Sequence, residues 1–140
     1  MAYQSINPFD GQLLQTFEEL DDVDLEAALH AAEQCFQAWR HTSFAEPTPV
    51  VARAAALLRS RADEFAWPVT LEMGKLISES LGEVALSADS LDYYAANAER
   101  FPAPQTLAPS SGEATIERAP LGVILGVEPW NFPTTSSHAL

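Results

Sequence analysis

Residues Gly122-Val123-Ile124-Leu125-Gly126-Val127 form an unbroken apolar run, rich in branched side chains and bounded by Pro120 and Pro129. A half-exposed strand alternates apolar with polar residues, whereas a continuous run suits a strand buried on both faces, as in a parallel sheet. Such a strand needs neighbours on its edges and helices over its faces. The rest of the chain offers helices but too few strands to build that sheet. The expectation is an α/β architecture of which these residues supply only a part.

The segments before the run divide by pattern. Residues 5–20 read as a hairpin-like opening, because Asn7-Pro8-Phe9-Asp10-Gly11 places Pro, Asp and Gly in turn positions before Leu13, Leu14 and Phe17. Residues 22–100 read as helical. From Asp22 to Arg40, Leu25, Ala28, Leu29, Ala32, Phe36 and Trp39 recur at steps of three and four. Cys35 lies beside that stripe and reads as a small packed residue rather than a nucleophile. The acidic cluster Asp21, Asp22, Asp24 and Glu26 suits a helix start, and no His or Cys completes a metal-ligand set there.

Pro47 and Pro49 suit a second helix entrance, followed by Val50, Val51, Ala54, Leu57 and Leu58. That helix should break near Arg59–Arg61 and resume at Asp63 with Phe65 and Ala66 buried. Pro68 should kink or shorten the resumed helix, and Gly74 should end it. Ser78–Arg100 reads as a long third helix with Ile77, Leu81, Val84, Ala85, Ala88, Leu91 and Ala95 on its apolar face. Ser80 with Glu83 is a candidate capping box, and Ser78 serves as well. Residues 101–120 read as an extended crossover, aperiodic through Gly112, with Ala114–Arg118 alternating like a half-exposed strand. Residues 121–133 form the apolar strand and its loop, and 134–140 a tail.

The formal net charge is −13, from 7 basic and 20 acidic residues. That argues against nucleic acid or an anionic membrane surface as partner, since both require basic patches. A single cysteine excludes an intrachain disulfide and suits a reducing compartment. The N-terminus lacks a basic region followed by an apolar stretch, and no segment approaches the roughly 18 uninterrupted apolar residues of a membrane span. The expectation is a soluble, cytoplasmic protein.

Chemistry concentrates where the apolar run ends, at Glu128-Pro129-Trp130-Asn131-Phe132-Pro133. In open α/β sheets, ligands bind beyond the carboxyl ends of strands. Two prolines fix the backbone around Asn131, and a rigid loop presenting one amide can hold a donor at a developing oxyanion. The same residues also suit a surface turn with two packed aromatics.

The stretch from Glu117 to Pro133 resembles the strand and loop that open the coenzyme-binding domain of aldehyde dehydrogenases. Ile6-Asn7-Pro8 with Asp10-Gly11, Thr70-Leu71-Glu72-Met73-Gly74-Lys75 and the stretch Tyr93–Phe101 also resemble that family, in its order and at its spacing. The similarity runs from about Ile6 to Pro133, and it is greatest to succinate-semialdehyde dehydrogenases. The resemblance implies the helices and first strand of a Rossmann-like coenzyme-binding domain. It also implies a homo-oligomer that oxidises an aldehyde, succinate semialdehyde in the nearest subfamily, to its acid with NAD or NADP.

By the same resemblance, Asn131 steadies the substrate oxygen during thiol attack. Pro129 and Trp130, with Asn131, lie against the coenzyme. Glu72 and Lys75 match a structural segment, Lys75 reading as a solvated charge after a helix-ending glycine. The family's cysteine nucleophile, glutamate base and Gly-rich coenzyme turn have no counterpart in these residues, and Cys35 does not match the cysteine motif. Pro47, Pro49 and Pro68 fall where the family more often has uninterrupted helix. Thr134–Leu140 departs from the apolar helix that follows the loop in the family, and His138 reads as a free-tail residue. The sequence therefore reads as an inactive N-terminal fragment of such an enzyme. The alternatives are a non-catalytic module that associates with full-length subunits or other partners, and an unrelated helical domain.

Overall fold

The computed structural model describes residues 3–136. The chain opens with an antiparallel hairpin of β1 (Tyr3–Ile6) and β2 (Leu13–Phe17), whose register runs from Tyr3 opposite Phe17 to Ile6 opposite Leu13. Its connection is built from side-chain mimicry of turns. The Asn7 carbonyl Oδ1 accepts the Phe9 N–H at 2.9 Å, and Asp10 Oδ1 accepts the Gln12 N–H at 3.0 Å.

Helix α1 (Asp22–Trp39) starts where the acidic cluster suggests, with Asp21 Oδ1 capping the Asp24 N–H at 2.8 Å. Its apolar stripe is only partly covered. No α1 residue is fully buried, and Leu25, Leu29 and Trp39 are about half exposed. Cys35 is accordingly exposed, which corrects its reading as a packed residue. Phe36 is half-buried, and its ring edge lies 3.8 Å from where a Cβ on Gly122 would sit.

Helices α2 (Pro47–Ser60), α3 (Ala62–Met73) and α4 (Ile77–Asn97) form the packed body. Pro47 occupies the first position of α2, where its missing N–H is no loss. The break between α2 and α3 is confined to Arg61. Pro68 lies inside α3 without ending it, so the expected shortening does not occur. The helix runs on to Gly74, whose φ of 68° supplies the left-handed cap. A Cβ at Gly74 would also come within 3.1 Å of Pro8 Cγ, so this residue lets the opening hairpin approach the end of α3.

The buried apolar residues are Ala55 of α2, Ala66 and Val69 of α3, and Val84 and Ala88 of α4. Small residues at these crossings allow close backbone approach. At the surface, Arg59 of α2 reaches both Asp89 and Asp92 of α4. The buried face of α4 differs from the expected stripe. It comprises Ser80, Glu83, Val84, Ser87 and Ala88, whereas Ala85 is exposed. Ser80 and Glu83 thus lie within the helix and form no capping box. Leu76 is the N-cap of the helix, and its N–H donates to Glu79 Oε2 at 3.3 Å. Tyr93 and Tyr94 stand half exposed and gather with Phe101, at ring-centroid separations of 5.5–6.0 Å.

The crossover 101–120 is not wholly irregular. β3 (Gln105–Leu107) pairs antiparallel with β4 (Ala114–Ile116) as a second hairpin. The apolar run 122–127, expected as a buried strand, carries no ladder. Leu121, Leu125 and Val127 are 92%, 88% and 87% exposed. A strand exists only through its partners, and no described strand borders this run. Finally, Pro133–Ser136 forms a short helix, α5, packed against α4. Of the segment 134–140 read as a tail, Thr134–Ser136 thus belong to this helix, and the rest, His138 included, lies outside the described residues. No helix among the described residues is long and apolar enough to cross a membrane.

Candidate functional site

The loop 128–133 leaves the apolar run and turns at Trp130 and Asn131 into α5. Pro129 fixes the backbone before the turn, and Pro133 occupies the first position of α5, where proline is favoured. The Ser136 N–H closes the first helical bond onto the Phe132 carbonyl at 2.9 Å. Asn131 is exposed, and its side-chain amide makes no hydrogen bond among the described residues. Trp130 is 76% exposed, so the reading of this loop as a turn with two packed aromatics fits only Phe132.

Phe132 lies under the ammonium of Lys75, whose Nζ is 4.1 Å from the ring centroid. The same Nζ donates to Glu83 Oε2 at 2.6 Å. The Glu83 side chain is 1% exposed and that of Lys75 only 20%. This corrects the reading of Lys75 as a solvated charge: Gly74 turns the chain so that Lys75 points onto α4 instead of outward. The other carboxylate oxygen, Oε1, accepts from the Thr134 N–H at 2.9 Å and from Thr134 Oγ1 at 2.6 Å. Burial pushes the Glu83 carboxyl up. The bonds from Lys75 and from Thr134 outweigh this and hold it below the usual glutamate range.

Two further polar pairs extend the cluster along α4. Ser87 Oγ lies 3.1 Å from Thr135 Oγ1 and donates to the Glu83 carbonyl at 2.9 Å, while Ser80 Oγ lies 2.9 Å from Thr70 Oγ1. Sequence reasoning missed Glu83, Lys75 and Thr134 as neighbours of the loop. The available signal was the polar series Ser80, Glu83 and Ser87, at steps of three and four within an otherwise apolar helix face.

Two concave surfaces flank the loop. An apolar cavity of about 660 Å3 lies between α2 and α3, with Leu57, Phe65, Val69, Met73 and Trp130 among its walls. A second, of about 400 Å3, is bounded by Lys75, Gly82, Glu83, Leu86 and Phe132. No cluster of three or more His, Cys, Asp or Glu suited to a metal occurs among the described residues. The arrangement presents one unengaged amide donor on a loop fastened from behind. That geometry can stabilise a negative oxygen.

The aldehyde dehydrogenase family pattern matches residues 1–139. The chain belongs to the aldehyde dehydrogenase family. It is 41% identical over 131 residues to the NADP+-dependent succinate-semialdehyde dehydrogenase of Deinococcus radiodurans, covering 94% of this chain and 28% of that protein. A probable enzyme of the same name from Synechocystis is also 41% identical, over 133 residues, covering 95% of this chain and 29% of that protein. Among solved structures, succinic semialdehyde dehydrogenase from Streptococcus pyogenes with NADP+ superimposes with a TM-score of 0.93 at 39% identity, covering 97% of this chain and 30% of that one. This aldehyde dehydrogenase chain thus spans less than a third of the length of the relatives it matches. Its fold is the N-terminal portion of theirs.

Proposed function

We propose that this segment serves the oxidation of an aldehyde to its carboxylic acid with NAD or NADP as coenzyme, succinate semialdehyde being the aldehyde, and that Asn131 supplies the oxyanion donor. The observation that carries the reading is the exposed, unengaged Asn131 amide on a proline-bounded loop anchored to α4. When a thiolate adds to the aldehyde carbon, the carbonyl electron pair moves to oxygen, and an N–H already aimed there stabilises the charge without reorganisation.

The subfamily assignment draws on the NADP+-dependent succinate-semialdehyde dehydrogenases at 41% identity. NAD or NADP, when bound, would supply the hydride acceptor. The backbone of Pro129 and the open indole of Trp130 suit one edge of a dinucleotide. Loop 128–133 carries no basic side chain for its phosphates. The nucleophilic thiol of this proposal is not Cys35, which lies on the exposed surface of α1. Without a placed thiolate no covalent acyl intermediate forms, so these 140 residues alone should give no reduced nicotinamide above blank with succinate semialdehyde and either coenzyme.

The decisive experiment places the segment in a chain of the relatives' full length. There Asn131→Ala should lower kcat about 10²–10³-fold, the usual effect of losing one oxyanion donor, with little change in coenzyme binding. Near-normal kcat with a lowered melting temperature would make Asn131 a turn residue only. A second reading, a non-catalytic module that associates with full-length subunits, is favoured by the exposed Leu121, Leu125 and Val127. Co-purification of this chain with such subunits, without gain of turnover, would support it.

A further inference from the structure

In the Lys75–Glu83 pair the carboxylate is buried and the ammonium partly so, and both residues are distant in sequence from the loop they touch. Charges are rarely withdrawn from water without a structural consequence, since burial is costly unless every lone pair and proton is matched. Here both carboxylate oxygens are matched, Oε2 by Lys75 Nζ and Oε1 by the N–H and hydroxyl of Thr134. The partners fall immediately behind Asn131. Phe132 is held under the Lys75 ammonium, Thr134 on Glu83 and Thr135 on Ser87. The three residues that follow or nearly follow Asn131 are therefore each fixed to α4 or to the Gly74–Lys75 turn, while Asn131 itself projects free.

We propose that Lys75 and Glu83 are positioning residues for Asn131, clamping the loop so that its amide holds one place. This rests on the reading of Asn131 as oxyanion donor. A preorganised donor must be held within about 0.5 Å of its working position, and a misplacement of about 1 Å can cost on the order of 10²-fold in rate. A flexible turn fixed only by its two prolines would not supply that. The ion pair adds direction. Lys75 closes over the ring of Phe132 on one side and binds the carboxylate on the other, so the loop and α4 share a single charged latch.

The test has two arms. In a chain of the relatives' full length, hydrogen exchange over residues 130–136 reads the clamp directly. Glu83→Ala and Lys75→Met should raise exchange there by at least tenfold while the α2–α3 segment keeps its protection. Lys75→Arg, which preserves charge and donors, should restore most of it. In the full-length setting, Glu83→Ala should lower kcat about 10–100-fold with a smaller change in KM, and Lys75→Arg should recover activity that Lys75→Met loses. Because the clamp acts through Asn131, Glu83→Ala added to Asn131→Ala should cost little more than Asn131→Ala alone.

Unchanged exchange in both clamp variants overturns the proposal. So do losses from Glu83→Ala and Asn131→Ala that multiply fully. Normal kcat in Asn131→Ala removes the oxyanion reading instead, and the exchange arm then still reports whether the latch exists.

Discussion

Glu83 illustrates how one residue's environment can change its duty. By sequence it pairs with Ser80 as a helix cap; in the fold it is an interior acceptor for Lys75 and Thr134. Burial raises its pKa, and those three bonds more than reverse the effect. The charged groups around it are Lys75, its ion partner, and Glu79, which borders the same surface hollow. A folded-state pKa below the unfolded value of about 4.3 contributes stability that is fully present above that value and is lost as pH falls through the folded one. Docking of α5 should accordingly weaken below about pH 4. The Thr134 amide resonance should titrate there in the wild-type chain and stay flat in Glu83→Gln, which keeps an acceptor but no titratable group. A wild-type resonance that does not move in that range would separate α5 docking from the charge on Glu83.

At the scale of elements, the helices were legible because their termini carry local chemistry. Asp21 caps α1, Pro47 opens α2, and Gly74 closes α3 with a positive φ. The opening hairpin was legible for the same reason, since Asn7 and Asp10 bond their own neighbours. What was not legible depended on partners distant in the chain. β3 is three residues long and becomes a strand only because β4 lies beside it. The buried side of α4 is more polar than apolar, so apolar periodicity placed Ala85 inward when it faces out. Asn131 and its proline frame were visible in sequence; the Lys75–Glu83 support was not, because its residues are eight apart across the start of α4 and face a segment about 50 residues later. The α2–α4 packing should be sensitive to single methyl groups, since its core is small. Val84 is fully buried, and Val84→Ala removes two carbons from it. We expect a cost of about 2 kcal/mol, read as a lowered urea midpoint with unchanged slope. A change below about 0.5 kcal/mol would mean that the helices already pack loosely there.

For the molecule as a whole, the main feature is unmatched apolar surface. Leu121, Leu125, Val127 and Trp130 are each more than three-quarters exposed, and the stripe of α1 remains half open. Contiguous exposed apolar surface promotes association. The isolated chain should bind a hydrophobic reporter dye and sediment as a mixture of associated species; a sharp monomeric boundary without dye binding would contradict this. The joint between α4 and α5 is of another kind. An oily contact can slide by a residue or a turn and still bury carbon against carbon. Along α4, by contrast, a shift of α5 would leave the Glu83 oxygens and the Ser87 hydroxyl facing methyl groups, at about 1–3 kcal/mol for each orphaned group. The two helices therefore fit together as a key fits its ward, in a single register, and the segment that follows Asn131 is either seated or entirely out.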